Sequence, residues 1–233
     1  MIDLRAPMLQ ELVKEELRLI LRNRTTRYVF VAFPLVLSAT MIGILWMPDD
    51  ISDHAPMLFM VSVYTPLTYL SLAVSWNATH ADALFGLPLS TDMHVRARLL
   101  AAGVLSIPVG LLLTAMTAMM NVELVLLPAA ATMFSLSAAG LPVLFVAVRY
   151  PSRFDVNAPP FADFRKFRWP HYLVMISVFA PAWVLSAFLT NGQFILAIAG
   201  VSLLAAPAVP YMHRRTAAKL TKSVPAICRL YRR

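Results

Sequence analysis

Residues 76–98 read WNATHADALFGLPLSTDMHVRAR, a polar interruption of about twenty residues between two long apolar runs. It opens on Trp76, an aromatic of the kind that sits at membrane–water interfaces. It closes on Arg96 and Arg98, just before the next apolar run begins at Leu99. A turn at Gly86 to Pro88 is flanked by Leu84, Phe85, Leu87 and Leu89, and Ser90-Thr91-Asp92 reads as the N-cap region of the following helix. A chain that only had to cross a bilayer and return needs a turn of a few residues here. This stretch builds a short amphipathic element instead, which predicts a docking site at the membrane surface for something outside the membrane.

The runs on either side set the class. The chain is 59% hydrophobic and only 14% charged, with a mean hydropathy of +0.70, whereas soluble domains carry about 25% charged residues. The apolar residues fall in runs of about twenty, the length a helix needs to cross about 30 Å of hydrocarbon. The fold predicted is all-α and polytopic, with six spans: 28–47, 56–76, 99–120, 123–148, 171–190 and 194–212. Prolines such as Pro66, Pro108, Pro142 and Pro181 fall inside the runs. Neighbouring helices can satisfy the carbonyls they free, so they predict kinks and not span ends.

Ahead of the first span, Leu9, Leu12, Val13, Leu17, Ile20 and Leu21 recur at helical spacing. Glu11, Lys14, Glu15, Arg18 and Arg22 fill the opposite face. This predicts an amphipathic helix over 7–23 lying in the membrane interface. The run that begins at Tyr28 has the length of a span and not of a signal-peptide core. The tail over 213–233 is basic and partly amphipathic, and reads as a frayed helix attracted to anionic headgroups.

Lys and Arg alone orient the chain. The N-terminal segment holds six, the stretch after span two holds two, the stretch after span four five and the tail seven, together all 20 in the chain. The other connections hold none. This places both termini, residues 76–98 and residues 149–170 in the cytoplasm. The formal net charge of +8 comes from residues flanking the apolar runs, so it does not point to nucleic acid. The single cysteine, Cys228, excludes an intrachain disulfide.

No pattern of soluble catalysis is present. The 7 glycines form no phosphate loop, and there is neither a Gly-x-Ser-x-Gly elbow nor a His-Glu-x-x-His pair. His80-x-Asp82 and Asp92-x-His94 flank the Gly-Pro turn with no spacing that forces them together. Cap and surface roles account for Asp92 and His94, so no metal site is assigned. His171 and His213 read as interfacial anchors. Intramembrane ionisable residues usually mark proton and ion pathways. None lies well inside these spans, which argues against an ion-coupled carrier and against a membrane enzyme. Within span two, Tyr64, Thr68, Ser71 and Ser75 form one helical stripe. Span five offers Phe179, Trp183 and Phe188 beside a kink at Pro181. The stripe reads either as packing glue or as a pathway lining, and hydroxyls opposite an aromatic wall would suit an amphiphile or hydrophobic peptide. In span three, Ala102, Ser106, Gly110, Thr114 and Ala118 form a ladder of small residues that reads as close packing.

The passage Asp82-Ala-Leu-Phe-Gly-Leu-Pro-Leu-Ser90, followed by Arg96-Ala-Arg98-Leu-Leu, resembles the entry from coupling helix into span three of ABC-2-type transporter permeases. Arg153-Phe-Asp155-Val-Asn157 and Phe161 are similar to a bacterial branch of these permeases. The resemblance implies the membrane subunit of an exporter in the bacterial cytoplasmic (inner) membrane. It implies a coupling helix at Asp82, Leu84, Phe85, Gly86, Leu87, Pro88 and Leu89 that docks on a separate ATPase subunit, and a second copy or a paralogous permease completing the pore. Spans two and five would line the pathway through Tyr64, Thr68, Ser71, Ser75, Phe179 and Trp183. The chain itself would be no enzyme and hold no cofactor, with ATP and Mg on the partner. The connection Thr190 to Gln193 is too short for the pair of external helices many members carry between spans five and six. The alternative is a non-transporting membrane scaffold or immunity protein that binds a partner.

Overall fold

The computed structural model describes residues 5–45, 54–74, 90–120, 122–151 and 169–231. Among them the chain is helical and contains no strand. Helix α1 is Arg5–Arg22, α2 is Arg24–Arg27, and α3 is Phe33–Leu45, joined to α2 by a π-helical turn over Tyr28–Ala32. Then come α4 (His54–Leu72), α5 (Thr91–Met120), α6 (Leu127–Phe134) and α7 (Gly140–Arg149), the last two joined by a π-helical turn at Ser135–Ala139. Helices α8 (Trp169–Ser186), α9 (Asn191–Ala205) and α10 (Val209–Tyr231) follow. Five helical stretches among the described residues are long and apolar enough to cross a membrane. They are His54–Leu72, Thr91–Met119, Val122–Arg149, Trp169–Ser186 and Asn191–Pro225. The first predicted span is helical as far as Leu45, where description stops.

Helix α4 is the axis of the bundle. It packs against α3, α5, α6, α7 and α8, and its most apolar window is 83% buried. A helix hydrophobic all round belongs in an interior. Phe59 on α4 meets Phe134 of α6 at 5.5 Å and Phe194 of α9 at 6.0 Å between ring centroids. Ser62 and Ser71 bond to carbonyls of their own helix, so these hydroxyls are buried without needing a partner helix. Helix α8 lies at the outside, with 17% of its apolar window buried, and so does the apolar window of the stretch Asn191–Pro225 that begins with α9, which is 22% buried. Leu173, Ile176, Val184, Leu196 and Leu204 face outward, as lipid-contacting residues do.

Helix α5 begins at Thr91, where the N-cap reading of residues 90–92 places its start, so Arg98 lies about two turns inside a helix. Three expectations change. Helix α8 ends at Ser186, because Thr190 caps α9 in a reciprocal box with Gln193 and the chain must leave the helix to reach that cap. Phe188 is thereby left beyond the helix and 82% exposed. The basic tail is no frayed end. It continues from span six as α10 and packs on α5 and α7, burying Thr216, Ala217, Leu220 and Ile227. Finally, α1 packs on α5 and buries Leu12 and Ile20 of its apolar stripe, with Leu21 left exposed.

Candidate functional site

The polar residues of the bundle gather at the end where α4 stops and α5 starts. Tyr69 of α4 is fully buried, its ring edge-on to Phe30 at 5.6 Å. Its hydroxyl donates to Glu16 Oε2 of α1 at 3.1 Å. The other oxygen of Glu16 stands 3.6 Å from Nε of Arg98 on α5. Glu16 is 3% exposed and Arg98 is 1% exposed. Three helices therefore meet at one buried ion pair with a phenol beside it. Separating either charge from its partner would leave the other uncompensated in a low-dielectric site, which costs about 3–5 kcal/mol.

One turn before Arg98, His94 is also buried. Near the start of α5, Asp92 lies 2.9 Å from the Arg96 guanidinium at Nε and, across to α10, 3.0 Å from His213 Nδ1. The Thr91 and Thr221 hydroxyls are 2.8 Å apart. The first turns of α5 are thus fastened to α1 on one side and to α10 on the other. His94 and His213, expected at the surface and at the interface, are both buried. Each sits on a face that looks amphipathic in isolation, but a neighbouring helix covers it.

A cavity of about 180 Å³ opens between α4 and α8. Tyr64, Leu67, Thr68 and Ser71 line it from α4, and His171, Tyr172, Met175 and Phe179 from α8. The Tyr64 ring lies 5.4 Å from that of Phe33. The polar groups on this wall are hydroxyls and one imidazole, and the remainder is aliphatic, thioether and aromatic. Such a lining holds an apolar body and one hydrogen-bonding group.

The structure gathers Tyr64, Thr68, Ser71 and Phe179 around this cavity. Trp183 is not part of the lining. One turn beyond Phe179, Ala182 takes the inward position at 4% exposure and Trp183 turns outward at 53%. Ser75 lies outside the described residues, as do Asp82, Leu84, Phe85, Gly86, Leu87, Pro88, Leu89, His80 and residues 152–168. Sequence reasoning missed His171, read as an anchor but 5% exposed in the cavity wall. It also missed Glu16, which carried a legible signal: it stands one turn from Leu12 and one from Ile20, in the middle of the apolar stripe. Arg98 carried none, because its position directly before an apolar run is also where flanking cations sit.

No curated protein and no solved structure matches the chain. A family model described as "Family of unknown function (DUF5687)" matches residues 7–223. That match covers nearly the whole chain, which belongs to the DUF5687 family.

Proposed function

We propose that the chain is the membrane-embedded permease subunit of an ATP-driven, ABC-2-type exporter of the bacterial cytoplasmic membrane. In this reading it has six spans with both termini cytoplasmic. It pairs with a second copy or a paralogous permease, and a separate ATPase subunit supplies ATP hydrolysis. The substrate is an amphiphile or hydrophobic peptide. The observation that carries the reading is the cavity between α4 and α8, lined by Tyr64, Thr68 and Ser71 on one side and Met175 and Phe179 on the other. The resemblance of residues 82–90 and 96–100 to a coupling helix and the start of span three supports the choice of family. The run of Lys and Arg on alternate connections supports the topology.

The cavity is tested by cysteine accessibility. In a Cys228→Ala background, Thr68→Cys and Ser71→Cys should react with a water-soluble maleimide faster than Leu111→Cys, which replaces an outward apolar residue that is 66% exposed. Rates no greater than at Leu111 would make the hydroxyl stripe packing and leave the scaffold reading in its place. The partner is tested in parallel. The purified chain alone should not hydrolyse ATP, and Phe85→Asp with Leu87→Asp should abolish co-purification of the ATPase subunit by placing charge in an apolar contact. ATP hydrolysis by the chain alone would overturn the assignment.

A further inference from the structure

Helix α1 has the sequence of an interfacial helix and the position of a docked one, and Glu16 explains the difference. Leu9, Leu12, Val13, Leu17 and Ile20 make an apolar stripe that either lipid or protein could cover. Glu16 sits in the middle of that stripe. Laid into acyl chains, its carboxylate would lose its hydrogen-bonding partners. Laid on α5, it meets Arg98 at 3.6 Å and the Tyr69 hydroxyl at 3.1 Å. The stripe does not discriminate between the two surfaces, and the charge does.

Two further features suit α1 to leave this position as a unit. The chain breaks between α1 and α2 at Asn23, whose backbone is extended with φ −89° and ψ 129°. The Asn23 side chain accepts from the amides of Thr25 and Thr26 and so begins the next helix independently. The Thr26 hydroxyl, which donates to the Ile20 carbonyl at 2.9 Å, lies at this pivot. In addition, the exposed face of α1 carries its own i,i+3 ion pairs, Glu11–Lys14 and Glu15–Arg18. These pairs need nothing from the bundle and stay intact when α1 swings.

We propose that α1 is a latched arm with two resting places, docked on α5 or released with its apolar face in the membrane interface, and that the Glu16–Arg98 pair selects the docked one. Glu16 touches α4 through Tyr69 and α5 through Arg98, so docking also ties the ends of these two helices together. The latch stands whether or not the chain transports anything, and its test uses neither ATP nor substrate.

The test is a distance. Spin labels at Gln10→Cys on α1 and Lys222→Cys on α10, both exposed positions, are placed in the full Cys228→Ala chain. The protein is reconstituted in bilayers of mixed zwitterionic and anionic phospholipid and diluted with unlabelled chain. Gln10 stands about 20 Å along the helix from the Asn23 pivot, so a swing of about 30° moves it on the order of 10 Å. The unmutated pair should give one distance. Glu16→Leu, and Glu16→Leu combined with Arg98→Met, should add a second distance shifted by that amount. Arg98→Lys, which keeps the charge, should retain the docked distance. The double variant buries no unpaired charge, so it should fold even if Arg98→Met alone does not. A single docked distance in the double variant would overturn the proposal, because apolar packing alone would then hold α1. A second distance in the unmutated protein equal in weight to that of the double variant would overturn it as well, because the ion pair would then select nothing.

Discussion

Gly140 and Gly200 are both helical glycines in apolar segments, and their surroundings are opposite. A Cβ built on Gly140 would stand 2.5 Å from the Ser135 carbonyl oxygen and 3.0 Å from Leu70 Cδ1. The first of these is backbone of the π-helical turn and cannot rotate away. The second is the close approach of α7 to the central helix. Gly140→Ala should therefore destabilise by about 1–3 kcal/mol, the usual penalty of overpacking. A Cβ on Gly200 meets nothing within 4 Å, so Gly200→Ala should stabilise by about 0.5–1 kcal/mol through the lost freedom of the unfolded chain. Thermal melting of the purified protein in detergent should move in opposite directions for the two variants. A melting temperature unchanged by Gly140→Ala would mean that the turn relaxes around a methyl group.

At the scale of elements, α10 departs furthest from its reading as a tail. It is basic along its exposed face, with Arg214, Arg215 and Lys222 outward, and it buries Leu220 completely. The Arg215 guanidinium lies over the Phe145 ring of α7 at 5.6 Å. Asp92 and Thr91 of α5 hold it from the other side. Leu220→Asp should consequently destabilise the whole bundle by several kcal/mol, because it buries a carboxylate against apolar helices. Lys222→Asp makes a larger change of net charge at an exposed site and should stay within about 0.5 kcal/mol. Equal melting temperatures for the two variants would show that α10 is not docked. If instead the helix lay on anionic headgroups, Lys222→Asp would be the more harmful.

At the scale of the whole molecule, the bundle has two chemically different ends. One gathers Glu16, Asp92, Arg98, Arg149 and His213. The other holds the Glu123–Asn191 contact at 3.5 Å and the Thr190–Gln193 cap. In the proposed topology the first end is the cytoplasmic one. In the Cys228→Ala background, a membrane-impermeant maleimide should label Gly192→Cys in intact cells and Lys222→Cys only after permeabilisation. The reverse pattern would invert the orientation and with it any docking of a cytoplasmic ATPase.

The amino-acid pattern alone determined the helical class, the apolar runs and the amphipathic α1. It also picked out three of the cavity's hydroxyl residues, Tyr64, Thr68 and Ser71. Each of these depends on transfer free energy and on the 3.6-residue period, which act within one helix and are legible in one stretch of chain. Tertiary structure alone decided that Arg98 is buried, that α1 rests on α5, that the tail is a packed helix, and that Ala182 and not Trp183 faces inward. The carboxylate of Glu16 signalled that a partner was needed, but the Tyr69 hydroxyl that meets it stands 53 residues away and the guanidinium lies further still. An ion pair of this kind exists only after the intervening helices have packed, because a buried charge is tolerated where its partner is brought to it and nowhere else.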